Sequence, residues 1–174
     1  MFEVFFTGIH SLFSKQNDYI KVNILIPKET VFRTQLICEY ICEEEECDFD
    51  LNTFIYLLYC DFIKQSVEHY NPEKTLKKLT TDYINNKTLI ITNGYDNIKL
   101  NSNISFNKYT VEFDKEEALK GQLILNELHE LFHVNITFNS LLSQLWISFI
   151  YDYKTGDNKK AFTSLKKMLQ ENIN

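Results

Sequence analysis

Two histidines and a glutamate carry the only chemically specific spacing in the chain: His129, Glu130 and His133, in the order H-E-x-x-H. On a helix, residues four apart lie one above the other on the same flank, so two imidazoles at this spacing could share one zinc ion. Glu130, one residue past the first imidazole, would then be placed to act as general base on a metal-bound water. Two imidazoles leave zinc short of protein ligands, and a third must converge to within about 2.0–2.2 Å if it is an oxygen. No histidine follows His133, and the downstream acids are Asp152, Asp157 and Glu171. Asp152 falls on the next expected helix and is the candidate third ligand.

The element that must hold these side chains is a helix expected over residues 114–135. Asp114 suits the N-cap, and Glu117 three residues later completes a capping box. Glu116 and Glu117 place carboxylates at the positive end of the helix dipole. Ile124, Leu125, Leu128, Leu131 and Phe132 recur at helical spacing and form one apolar face, and Asn135 is a plausible stop.

At these residues the chain resembles the zincin metallopeptidases, whose H-E-x-x-H helix follows a β-sheet, as is expected here. The resemblance covers this helix and the order of its neighbours. It implies that His129 and His133 bind zinc and that Glu130 deprotonates the bound water. The family's third ligand is usually a downstream Glu or His, a place for which Asp152 is the candidate by position, although its neighbours WISFIYDY do not match a third-ligand motif of the family. Glu127 and Asn135 stand where the family carries an uncharged and an apolar residue.

Other motifs point away from catalysis. Residues 43–50 read EEEECDFD, and a run of like charges is expected to be a solvated helix end or a loop. The formal charge is −6, which argues against nucleic acid as a partner, because phosphate contacts need clustered Lys and Arg. It suits a protein that meets a basic partner, which an acidic run would draw in electrostatically. Cys38, Cys42, Cys47 and Cys60 lack a C-x2-C knuckle and are expected to be reduced thiols. P-loop, G-x-S-x-G and G-x-G-x-x-G patterns are absent from the sequence. The second functional class is therefore a non-enzymatic acidic protein-binding module: an immunity protein, an antitoxin-like inhibitor or a viral host-interaction factor.

The 174 residues, 44% hydrophobic and 14% aromatic, can bury a sizeable core in one domain spanning the chain. Without an 18-residue apolar run or a basic leader, the chain is expected to have no membrane partner and to be cytoplasmic. Strands are expected over 2–8, 19–26, 88–92, 95–100 and 105–113. A hairpin is expected at Asn93-Gly94, because a type I′ turn needs positive φ at both central residues. Helices are expected over 28–42, 51–69, 73–84, 114–135, 138–153 and 159–170. The Asn71-Pro72 pair would start the third of these. This order gives an α+β fold in which a small antiparallel sheet packs against about six helices.

Overall fold

The structure, a computed structural model, describes residues 19–83, 88–92, 97–101, 104–156 and 158–173. The strand expected over 2–8 and the Asn93-Gly94 turn lie outside the described residues. The elements run β1 (Tyr19–Pro27), α1 (Lys28–Glu45), α2 (Leu51–Glu68), α3 (Pro72–Thr80), β2 (Thr88–Thr92), β3 (Asn97–Asn101), β4 (Phe106–Asp114), α4 (Lys115–Phe132), α5 (Phe138–Thr155) and α6 (Asn158–Ile173). The fold is α+β, with a small antiparallel sheet and six helices among the described residues.

β1 and β4 pair antiparallel from Tyr19 opposite Asp114 to Pro27 opposite Phe106. Alternation decides which side of this ribbon faces the core. Val22, Ile24, Ile26, Val111 and Phe113 are buried, whereas Tyr19, Lys21, Asn23 and Leu25 are exposed. On the outer face Lys21 and Glu112, directly opposite one another, form a 3.1 Å ion pair. β2 and β3 form a second antiparallel pair, with Thr92 opposite Asn97.

α5 lies across the buried side of the ribbon and is the centre of the core. Leu141, Leu142, Leu145, Trp146, Ile147 and Ile150 are all buried. The Trp146 ring sits 5.9 Å from that of Phe54 on α2 and 5.7 Å from that of Tyr109 on β4, centroid to centroid. Its indole N–H would be orphaned in such surroundings, and it donates to the buried Thr34 hydroxyl of α1 at 2.7 Å. Thr34 in turn donates to the Thr30 carbonyl at 2.8 Å. α2 adds Phe54, Ile55, Leu57, Leu58, Tyr59 and Phe62 to the same core.

Helix starts follow local chemistry. The side chains of Asp50, Asn71, Asp114 and Thr137 each accept backbone N–H groups at the head of α2, α3, α4 and α5. Several expected boundaries move. α1 does not stop at residue 42 but runs through Glu45, so the first three acids of the run form a helix end, one of the two forms expected for it. There Lys166 of α6 lies 2.7 Å from Glu45 and 3.8 Å from Glu44. α3 ends at Thr80 rather than 84, and α6 begins at Asn158 and reaches Ile173.

Candidate functional site

α4 starts as its sequence implies. The Asp114 carboxylate accepts from the Glu116 and Glu117 amides at 2.8 and 3.3 Å. Glu117 does not close the capping box back onto it but pairs with Lys120 at 2.5 Å. The far end differs from the expectation. The helix ends at Phe132, so His133 lies beyond it, and residues 133–135 are not helical.

His133 has φ 55° and ψ 32°, the left-handed conformation of a helix stop. Its N–H closes the last turn by donating to the His129 carbonyl at 2.8 Å. A helical residue has φ near −63°, so this change rotates the Cα–Cβ bond by roughly 120° about N–Cα. The side chain therefore leaves the flank on which a continuous helix would stack it over His129. It is exposed, as is Glu130.

The half-buried His129 ring faces the chain that leaves the helix, and its Nδ1 is 2.9 Å from the Val134 carbonyl oxygen. A carbonyl only accepts, so Nδ1 carries the proton and donates. Within this geometry the H-E-x-x-H segment is a helix terminus. One histidine supplies the left-handed stop and the other ties down the residue that follows.

Asp152 is exposed on α5 and lines a different feature, a cleft of about 860 Å³ between α2, α5 and α6. Leu58, Leu145, Phe149 and Met168 are among its apolar walls, and Asp61, Lys64, Glu68 and Lys167 among its charged ones. This arrangement does not suit zinc: among the described residues, no three His, Cys, Asp or Glu side chains converge to hold a metal ion. The four cysteines are free thiols, and burial pushes the Cys38 thiol up to about 12. The Cys42 thiol both donates to the Phe49 carbonyl and accepts from its amide, each at 3.2 Å, which closes the turn after α1.

The outer surface of α1 carries a feature that no sequence motif marks. Its inner face buries Thr30, Val31, Thr34, Ile37, Cys38 and Ile41. Leu36 and Tyr40, although they share the helical spacing of Val31, Ile37 and Ile41, are 45% and 46% exposed, and Phe32 is 65% exposed. These three follow one another at i, i+4 and i+8, a continuous stripe opposite the buried face. The stripe borders a second cleft of about 590 Å³, lined by Leu36, Ile37 and Tyr40 of α1, Tyr153 of α5, and Phe162 and Lys166 of α6 among others. Phe162 meets the rings of Tyr40 and Tyr153 edge-on, at 5.3 and 5.6 Å. Glu39, Glu43 and Glu44 are exposed along the C-terminal half of the helix, with Glu46 at its C-cap and Asp48 just beyond. The available signal was the number of apolar positions on α1, more than one buried stripe can use.

No helix among the described residues is long and apolar enough to cross a membrane. Comparison of the chain with protein-family models, with curated proteins and with solved structures finds no match in any of the three.

Proposed function

We propose that the protein is a non-enzymatic protein-binding module whose partner presents a basic surface. The observation that carries this reading is the exposed acidic group at the end of α1: Glu43, Glu44, Glu46 and Asp48. Glu43 and Glu44 lie on the regular helix, with Glu46 at its left-handed C-cap, so the spacing of the first two is fixed before any partner arrives. Lys166 lies within ion-pair distance of Glu44 and Glu45, which leaves Glu43, Glu46 and Asp48 to dominate the local field. A fixed field of one sign speeds encounter with an oppositely charged surface. An immunity protein, an antitoxin-like inhibitor and a host-interaction factor all act by occupying a partner's surface rather than by chemistry. The zinc-peptidase reading would need His133 turned back toward His129 and a third ligand brought to both, so no catalytic step is derived from these residues.

The test is association with a panel of basic peptides, followed by on-rate as salt is raised. Binding should slow with salt, and a variant carrying Glu43→Gln, Glu46→Gln and Asp48→Asn should lose most of that dependence. Glu44 and Glu45 are left in place so that their contacts with Lys166 persist. On-rates indifferent both to salt and to the substitutions would remove the acidic group from the interface.

A further inference from the structure

We infer that the outer face of α1 is the docking surface for one kind of segment: an amphipathic helix with apolar residues on one side and Lys or Arg clustered toward one end. This inference rests on the proposed basic partner and gives it a shape. Two features of α1 favour it. The first is the exposed stripe of Phe32, Leu36 and Tyr40 on the side of the helix away from the core. Isolated exposed apolar residues need no explanation, but three in line over two turns, beside an aromatic-walled cleft, form a contiguous apolar strip. An amphipathic helix reads such a strip with anchors at i, i+4 and i+7. The cleft between Tyr40 and Phe162 offers a recess for one anchor side chain.

The second is the distribution of charge along the stripe. Lys28 and Arg33 lie at its N-terminal end, and Glu39, Glu43, Glu44 and Glu46 at its C-terminal end. Glu29 also lies in the N-terminal half, but it is held at 2.6 Å by Lys154 of α5, so that end carries little net negative charge. The strip is thus neutral to basic at one end and acidic at the other. A bound helix must place its basic cluster over residues 39–46, so the end of the peptide that carries the cluster decides whether it runs parallel or antiparallel to α1. Seated the other way round, it would set its cations against Lys28 and Arg33 and leave the glutamates facing its neutral end.

The probe is a synthetic helical peptide with leucines at i, i+4 and i+7 and lysines at its C-terminal end, together with an isomer whose lysines are moved to the N-terminal end. Both are titrated into the full chain by calorimetry and by backbone amide NMR. Each isomer should bind with its lysines over residues 39–46, the first parallel to α1 and the second antiparallel, so that a spin label at the lysine end broadens the amides of residues 39–46 in both. Leu36→Ser and Phe32→Ser, both at exposed positions, should each weaken both isomers at least tenfold. The Glu43→Gln, Glu46→Gln, Asp48→Asn variant should abolish this placement of the label. If basic peptides bind but Leu36→Ser and Phe32→Ser leave them unaffected, the docking face is wrong while the basic partner stands. If neither isomer binds and the basic panel also fails, the proposed function falls with it. A concentration-dependent dimer in sedimentation that Leu36→Ser dissolves would assign the face to a second copy and overturn the inference.

Discussion

The Tyr59 hydroxyl of α2 lies within the backbone ladder of α4, accepting from the Gly121 amide at 2.9 Å and donating to the Glu117 carbonyl. Gly121 N–H and Glu117 C=O are the pair that a regular α-helix would join to each other. The phenol therefore stands between them, and burial raises its pKa well above the ordinary tyrosine value. A Cβ on residue 121 would fall 2.7 Å from that hydroxyl and 2.9 Å from the Phe138 ring.

Gly121→Ala should consequently destabilise the protein, by about 1–3 kcal/mol, as overpacking does. Helix propensity alone gives the opposite sign, favouring Ala by roughly 0.8–1.0 kcal/mol. Urea denaturation decides between them. The loss should shrink in a Tyr59→Phe background, where the nearest clashing atom is gone, and a stabilised Gly121→Ala protein would refute the close approach.

His133→Gly separates a helix stop from a metal ligand. A non-glycine residue in the left-handed region is strained by about 1–2 kcal/mol, which glycine does not incur. The substitution should raise stability by roughly 0.5–1 kcal/mol. Zinc measured by elemental mass spectrometry should be well below one per chain before and after the change. Stoichiometric zinc, lost on substitution together with stability, would restore the ligand role.

Thr34→Val removes the acceptor for the Trp146 indole while keeping the volume. The buried N–H is then unmatched, at a cost of about 1–3 kcal/mol. Thr34→Ser should keep most of the stability. Equal denaturation midpoints for the Val and Ser variants would show that the indole has found another acceptor.

The contact between Lys154 and Glu29 predicts a pH effect of definite sign. The hydrogen bond from Lys154, followed by its charge, holds the Glu29 carboxyl below its ordinary value of 4.5. A carboxyl lowered on folding contributes stability above its unfolded pKa and loses it as pH falls through the folded one. Lys154→Met should thus cost stability at neutral pH and little below the carboxylate range. Glu29 is largely exposed, so the neutral-pH difference should not exceed about 1 kcal/mol. A difference that grows on acidification would show the pair to be unimportant.

Much of the fold was legible because local signals agreed with tertiary demand. Alternation in residues 20–26 put Val22, Ile24 and Ile26 on the buried face, and Asp114, Asn71 and Asp50 capped the helices that follow them. What was missed depended on distant partners or on one dihedral angle. Whether Glu44 and Glu45 form a helix end or a loop is open in the sequence, and Lys166, which lies beside them, is more than a hundred positions later. Leu36 and Tyr40 fit a core period but belong to the opposite side of a helix already buried on one face. The H-E-x-x-H spacing presumes that the helix continues, and a single positive φ at His133 ends it. Gly121 in a helix interior was a visible sign of close packing, but the tyrosine that explains it is 62 residues away.

The pairing of β1 with β4 also sets a schedule for the newborn chain. Asn23 and Thr110, bonded across the two strands, are 87 residues apart. At ribosomal rates of about 5–20 residues per second, that interval lasts on the order of ten seconds. Throughout it, Val22, Ile24 and Ile26 have left the exit tunnel with no β4 to pair and no α5 to cover them. The strand that anchors the finished core therefore spends that whole interval as an uncovered sticky segment. Its alternate polar positions, Lys21 and Asn23, are what interrupt a continuous apolar run during the delay.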